Sequence, residues 1–193
     1  MKSRSYAGRR RQRLAAVISL LALLLVAWFV PVPAQEAPFT EAGVKAAYLY
    51  HFGTYVNWPD PAAPDDVLTI AVLGDAEVFE QLERYLPGRT IGGRMVAARL
   101  VDSLDNLDDE EILYIGPTEN RALDALLDSL GQAAQGRLIV TDAPDGIRLG
   151  ASINFRLLDN RVRFEIDRGT AARAGLSLSS RLLAAADRVI DAP

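Results

Sequence analysis

Short apolar runs and amphipathic segments alternate along residues 40–190, and this alternation restricts the fold more than any other feature of the sequence. The runs at residues 67–74, 112–115 and 138–141 are almost continuously apolar, which is typical of strands buried on both faces. Between the strands, apolar residues recur at helical spacing, as in residues 76–86. This order predicts a single α/β domain of three layers, in which helices flank a mixed β-sheet.

The first predicted helix is apolar around most of its circumference. Thr40 is a suitable N-cap, and apolar side chains from Val44 to Trp58 exceed what one face can hold. We therefore expect this helix to be buried on two sides or to lie in an interface. A turn region rich in Pro, Asp and Ala follows at residues 59–66.

The C-terminal part of the domain changes to period-two alternation. Residues 152–157 and 161–166 flank a polar turn, which predicts a β-hairpin with one apolar and one charged face. A last helix is predicted to begin at Ser177 or Ser179 and to continue to the end of the domain. Its inward-facing residues would be Leu182, Leu183, Ala186, Val189 and Ile190.

The amino terminus has the composition of a secretory signal peptide. A basic head precedes the apolar run 14–30, and small residues then permit cleavage after Ala34. We expect a signal peptide over residues 1–34 and an exported domain over residues 35–193. A retained membrane anchor is the alternative, because a run of 17 apolar residues is at the short limit for a membrane span.

Composition excludes several classes of function. The chain has no Cys and one His, which excludes disulfides, thiol nucleophiles and multi-His metal sites. Six of the 21 basic residues and none of the 25 acidic ones lie in residues 1–34, so residues 35–193 carry a formal charge of −10. Nucleic acid is therefore not an expected partner. No nucleotide-binding glycine motif is present, and no cofactor is expected.

Candidate catalytic residues lack the neighbours that catalysis needs. His51 has no Ser, Cys or acidic residue one helical turn away, and Ser179 is explained as a helix cap. The acidic run of residues 102–111 lacks the glycine and the spacing of a calcium loop, so it predicts a solvated loop. Gly88, with the glycines at 92–93, predicts a turn between a helix and a strand.

A basic surface on the hairpin is the remaining candidate for binding. Arg163 and Glu165 lie on its predicted charged face. Arg181 lies in the first turn of the last predicted helix, where a cation opposes the helix dipole. We therefore expect Arg181 to have an acidic partner, either Glu165 or a bound ligand. The candidate partner or ligand surface consists of Arg163, Glu165 and Arg181.

Several short segments, in order, make up a recognisable pattern over about residues 41–187: Lys45–Phe52, Tyr55–Pro59, Ile70–Gly74, Gly92–Arg94, Ile112–Ile115, Val140–Asp142, Ile153–Phe155, Asn160–Ile166, Ala174–Leu176 and Ser179–Leu183. Together these segments resemble the YfiR family of periplasmic proteins. The resemblance implies a regulator and not an enzyme. Such a protein would bind the periplasmic part of an inner-membrane diguanylate cyclase or a related sensor kinase. It would thereby lower cyclic-di-GMP output and biofilm formation.

The resemblance also implies a homodimer and a second partner, an outer-membrane lipoprotein that sequesters the repressor. Relatives often carry Cys at the positions of Ala71 and Glu110 and in a second pair near residues 140–150, so this chain must hold its fold by packing alone. Two other functions remain open. One is a periplasmic carrier or sensor in which Arg163 and Arg181 grip a small anion; the other is a hydrolase that uses Ser179 or His51.

Overall fold

The computed structural model describes residues 40–58, 67–118 and 120–191. The predicted signal peptide, its cleavage site and the predicted turn at residues 59–66 lie outside the described residues. Within the described part of the chain, none of the helices combines the length and the apolar character needed to cross a membrane.

The described residues form five helices and ten strands. The helices are α1 (Glu41–Tyr55), α2 (Ala76–Tyr85), α3 (Asn120–Leu130), α4 (Arg168–Arg173) and α5 (Ser180–Ala185). The strands are β1 (Val56–Asn57), β2 (Leu68–Leu73), β3 (Thr90–Ile91), β4 (Arg94–Val101), β5 (Ile112–Ile115), β6 (Leu138–Thr141), β7 (Ile153–Leu158), β8 (Arg161–Asp167), β9 (Ser177–Leu178) and β10 (Arg188–Ile190).

Eight of these strands form one mixed sheet in the order β10-β8-β7-β6-β5-β2-β4-β3. The strands from β7 to β4 are parallel to one another, whereas the β7–β8 and β3–β4 pairs are antiparallel. β1 and β9 form a separate antiparallel pair. The prediction of a mixed-sheet α/β domain is confirmed.

The sheet has a core on each face, which gives the three layers. On one face, α1 packs through Phe52 against Phe155 and Phe164, with ring centroids 5.7 and 5.0 Å away. α1 also contacts α2, where the rings of Tyr50 and Tyr85 are 5.7 Å apart. The apolar side chains of α3 cover the other face of the sheet. Contacts with both the sheet and α2 explain why α1 is apolar on two sides.

Local signals in the sequence set several element boundaries. Thr40, Asp75 and Ser179 each cap a helix by accepting a backbone N–H with the side-chain oxygen. The hairpin turns through Asp159 and Asn160, whose φ angles of 49° and 59° match the twist of the flanking strands. The caps at Thr40 and Ser179 and the polar turn of the hairpin agree with the sequence prediction.

The end of the domain differs from the prediction. The last helix stops at Ala185, and β10 then pairs in parallel with β8 at the edge of the sheet. Val189 is consequently 39 % exposed and does not face a helical core. The reason is that β8 offers an open hydrogen-bonding edge, and the sequence pattern of residues 186–190 does not show this edge. α4 was also not predicted.

Candidate functional site

The hairpin places the three predicted surface residues in two different environments. Arg163 is exposed on β8, directly opposite Arg156 on β7. Glu165 points to the same face but is only 7 % exposed, so the prediction that it is solvent-exposed is wrong. Its carboxylate accepts a hydrogen bond from Asn154 Nδ2 at 3.2 Å and lies 3.6 Å from Arg156 Nη1. Burial of Glu165 is possible because Asn154 and Arg156, both on the neighbouring strand, supply a hydrogen bond and an opposite charge.

Arg181 is not part of the same surface. α5 packs through Leu182 on the sheet face that carries Phe164, whereas Arg163 and Glu165 alternate with Phe164 and point to the opposite face. The expected pairing of Arg181 with Glu165 is therefore wrong. One anion cannot be held by Arg163 and Arg181 together for the same reason.

The acidic run of residues 102–111 is solvated only in part, which corrects the prediction of a solvated loop. Glu110 is 4 % exposed and forms ion pairs with Arg99 and Arg137. Glu111 forms an ion pair with Arg94. Burial lowers the pKa of Arg137, although the charges of nearby acidic groups oppose that shift. These ion pairs join the acidic loop to β4 and to the start of β6.

A crevice opens at the carboxyl ends of the central strands. β2 lies between β4 and β5, and the chain crosses to β4 before it returns to β5, so the direction of winding reverses at this point. Ligand sites of α/β sheets commonly lie at such a reversal. The crevice has a volume of about 390 Å³ and is lined by Glu41, Ala42, Lys45, Gly74, Asp75, Ala76, Glu77, Val78 and Pro117.

Lys45 lines this crevice, and two carboxylates balance its positive charge. It is 5 % exposed, and its ammonium group binds the carboxylates of Asp142 and Glu41. Burial by itself lowers the pKa of Lys45, but the hydrogen bonds and charges of these two carboxylates raise it overall. Lys45 therefore stays protonated and acts as a structural tie between α1 and the end of β6.

Tyr114 and Asp75 form a second buried tie at the same edge. The Tyr114 hydroxyl donates to Asp75 Oδ2 at 3.0 Å, while Asp75 Oδ1 accepts the N–H of Val78 at the start of α2. Burial raises the pKa of Tyr114, and the charge of Asp75 raises it further. Asp75 and Asp142 each follow a buried strand closely, which is the sequence signal that would have located this edge.

The other candidates have structural roles. Ser179 Oγ accepts the N–H of Leu182 at 3.3 Å as the cap of α5. His51 is exposed on α1, where its ring packs edge-on to Tyr50 with centroids 5.4 Å apart. Among the described residues, no group of three or more His, Cys, Asp or Glu side chains could hold a metal ion.

Comparison with solved structures gives matches at low sequence identity. A conserved domain protein from Vibrio cholerae O1 biovar El Tor N16961 has a TM-score of 0.52 and 11 % identity, with 78 % of this chain and 60 % of that chain covered. The ABC domain in complex with L-Trp from Streptococcus pneumonia has a TM-score of 0.45 and 13 % identity, with 64 % of this chain and 55 % of that chain covered. The chain thus matches only somewhat more than half of the length of these proteins.

Comparison at the sequence level assigns the family. No curated protein sequence matches the chain. The YfiR/HmsC-like family matches residues 42–187, from the first turn of α1 to the residue before β10. This range includes strands β2 to β8, the hairpin and every residue that lines the crevice except Glu41. The chain belongs to the YfiR/HmsC-like family.

Proposed function

We propose that this protein is an exported inhibitor that binds the periplasmic part of an inner-membrane diguanylate cyclase and lowers its cyclic-di-GMP output. The observation that carries the proposal is the family match over residues 42–187. The family is periplasmic and regulatory rather than catalytic. Inhibition by binding requires that the protein has a higher affinity for the inactive arrangement of the cyclase than for the active one.

The buried charges support a binding role. Lys45 is held by two carboxylates, and Glu110 is held by two arginines. A nucleophile or a general base needs a reactive group that can approach a substrate, and these groups are committed to ion pairs that stabilise the fold. The charges that can contact another molecule lie on the surface, and they include the exposed arginines of the hairpin, Arg156, Arg161 and Arg163.

Arg163 is the best candidate for a contact with the cyclase. It is exposed on the central part of β8, beside Arg156, and the rigid hairpin fixes its position. The rest of the domain is acidic, so a basic cluster would orient the protein towards an acidic patch on its partner. Arg181 lies on another face and would contact a different part of a partner.

Deletion of the gene tests the proposed function. Loss of an inhibitor should raise cellular cyclic-di-GMP, and a plasmid copy of the natural chain should restore the lower level. An unchanged cyclic-di-GMP level after deletion would contradict the proposal. If the level rises as expected, capture of a membrane cyclase or of a sensor kinase from solubilised membranes would identify the partner.

Surface variants in the complementing copy test the contact. We expect Arg163→Glu to lose inhibition, because it reverses the charge of the proposed contact. Arg121→Glu is the matched control, since Arg121 is also exposed but lies on α3. Immunoblots must show equal amounts of both variants. Equal inhibition by the two variants would remove Arg163 from the proposed surface.

A further inference from the structure

The outer half of the β7–β8 hairpin extends beyond the strands on either side of it. β6 pairs only with the first two residues of β7, and β10 pairs only with the last three residues of β8. In the described part of the chain, residues 156–163 therefore form strand pairs only with one another. Each of these residues is exposed or half-buried. Residues 156–163 thus form an arm that a large partner surface can reach.

The arm is basic, although the domain as a whole is acidic. Its three arginines and single aspartate give a formal charge of +2, whereas residues 35–193 carry −10. Arg156 lies near Glu165, but among the described residues Arg161 and Arg163 have no ion-pair partner. Arg156 and Arg163 are also directly opposite each other, and like charges in this arrangement destabilise a sheet. An anionic partner would relieve this repulsion.

The end of the arm also exposes aliphatic side chains. Leu157 is 54 % exposed and lies directly opposite Val162, which is half-buried. Leu158 is half-buried beside the turn, directly opposite Arg161. The arm therefore combines aliphatic and basic side chains within eight residues. Binding to a membrane surface uses this combination, because apolar side chains are buried while basic groups are attracted to anionic lipids.

We propose that the arm binds the surface of a membrane that contains anionic phospholipids. Its arginines contact lipid phosphates, and Leu157 enters the boundary between the headgroups and the acyl chains. A lipid surface fits the arm because it supplies a phosphate to each arginine and an apolar layer to Leu157 at the same time. The inference goes beyond the proposed function, since this contact needs no cyclase.

The acidic remainder of the domain does not prevent this contact. Charges that are further from the lipid than the Debye length, about 8 Å at physiological ionic strength, are largely screened. Glu165, the carboxylate next to the arm on the same face of β8, is only 7 % exposed. The charges that the arm presents to a surface are therefore mainly those of its arginines.

Cosedimentation with lipid vesicles tests the proposal in the absence of a cyclase. Residues 35–193 are suitable, because they contain every described helix and strand but not the apolar run 14–30, which would bind lipid by itself. This domain should bind vesicles of phosphatidylglycerol and phosphatidylcholine, and high salt should weaken the binding. It should not bind vesicles of phosphatidylcholine alone. Equal binding to both kinds of vesicle, or binding to neither, would overturn the proposal.

Two matched pairs of variants locate the contact on the arm. Arg161→Gln should raise the dissociation constant for the anionic vesicles about fivefold, as expected for one basic group near an anionic surface. Arg121→Gln is its control, because Arg121 is exposed on α3. Leu157→Asn should weaken binding by a similar factor, whereas Met95→Asn, at a residue 50 % exposed on β4, should not. Variants of the arm that bind as well as their controls would remove the arm from the contact.

The absence of cysteine from the chain allows a fluorescent probe to be placed at the end of the arm. Leu157→Cys, labelled with an environment-sensitive fluorophore, should show a blue shift with the anionic vesicles, because the probe enters an apolar layer. Met95→Cys with the same label is the control and should show no shift. Equal shifts at the two positions would refute insertion of the arm.

The lipid contact and the proposed contact with the cyclase share Arg163, but they can fail separately. An absence of vesicle binding, together with loss of inhibition by Arg163→Glu in cells, would assign the arm to a protein partner and overturn the lipid contact. Vesicle binding that depends on Arg161 and Leu157 would support the lipid contact whatever the deletion of the gene does to cyclic-di-GMP.

Discussion

Glu110 is the residue whose replacement should damage the fold most clearly. Its carboxylate binds Arg99, lies 3.6 Å from Arg137 Nη2, and accepts the N–H of Asp108 at 2.8 Å. Its side chain is 2 % exposed, and that of Arg137 is 7 % exposed. Glu110→Ala would therefore remove a carboxylate that lies 3.6 Å from a buried guanidinium group.

The expected cost follows from the environment of the two arginines. Removing one partner of a buried ion pair costs about 3–5 kcal/mol. Arg137 keeps its hydrogen bonds to the carbonyl oxygens of residues 108 and 110, and the side chain of Arg99 is 37 % exposed and can be rehydrated. We therefore expect a loss near the lower limit, about 3 kcal/mol. With a urea m-value of about 2 kcal/mol/M, the unfolding midpoint should fall by about 1.5 M.

Urea unfolding followed by circular dichroism measures this loss. Glu83→Ala is the matched control, because Glu83 is exposed on α2 and should change the stability by less than about 0.5 kcal/mol. The double variant Glu110→Ala/Arg99→Ala should lose less than the sum of the single variants, since both belong to one ion-pair network. A midpoint for Glu110→Ala equal to that of Glu83→Ala would refute the reasoning.

Three further predictions concern the carboxyl edge of the sheet. Lys45→Ala should lower the free energy of unfolding by about 3 kcal/mol in urea titrations, because Asp142 loses its buried counter-charge. Because folding raises the pKa of Tyr114, its hydroxyl group contributes stability below pH 10.0, which is its ordinary pKa, and this contribution is lost as the pH rises above 10.0. Tyr114→Phe should therefore lose less stability at alkaline pH than the natural chain, as measured by urea titrations on both sides of pH 10.0. Gly146→Ala should lower the stability by about 2 kcal/mol in thermal melts, because its Cβ would collide with Thr141 Oγ1 and Asn154 Oδ1.

The sequence was sufficient to predict the centre of the fold. The strands at residues 112–115 and 138–141 have the predicted bounds, because a strand buried on both faces must be apolar at every position. Helix caps and the hairpin turn were also predictable, since they depend on contacts between residues a few positions apart. The family resemblance over residues 41–187 agrees with the matched range of 42–187.

The burial of charged groups was not predictable from the sequence. Glu165 and Glu110 belong to charged runs that are typical of solvated surfaces, yet each is buried against a polar partner on another strand, Asn154 and Arg99 respectively. Neither the spacing nor the composition of a segment shows which distant residue will pair with its charged side chains. Arg163 and Arg181 are likewise only 18 positions apart in the sequence, but the alternation of side chains along β8 separates them onto different faces.

Local information therefore determined the α/β class, the buried strands and the helix starts of this protein, because burial and capping select residue types over short stretches. The tertiary structure alone decided two features. One is the pairing of Lys45 with Asp142, which are 97 residues apart, and the other is the conversion of residues 188–190 into an edge strand. The reason is physical. Hydrogen-bonding edges and buried counter-charges are supplied by elements that are distant in the chain, so they exist only once the sheet has formed.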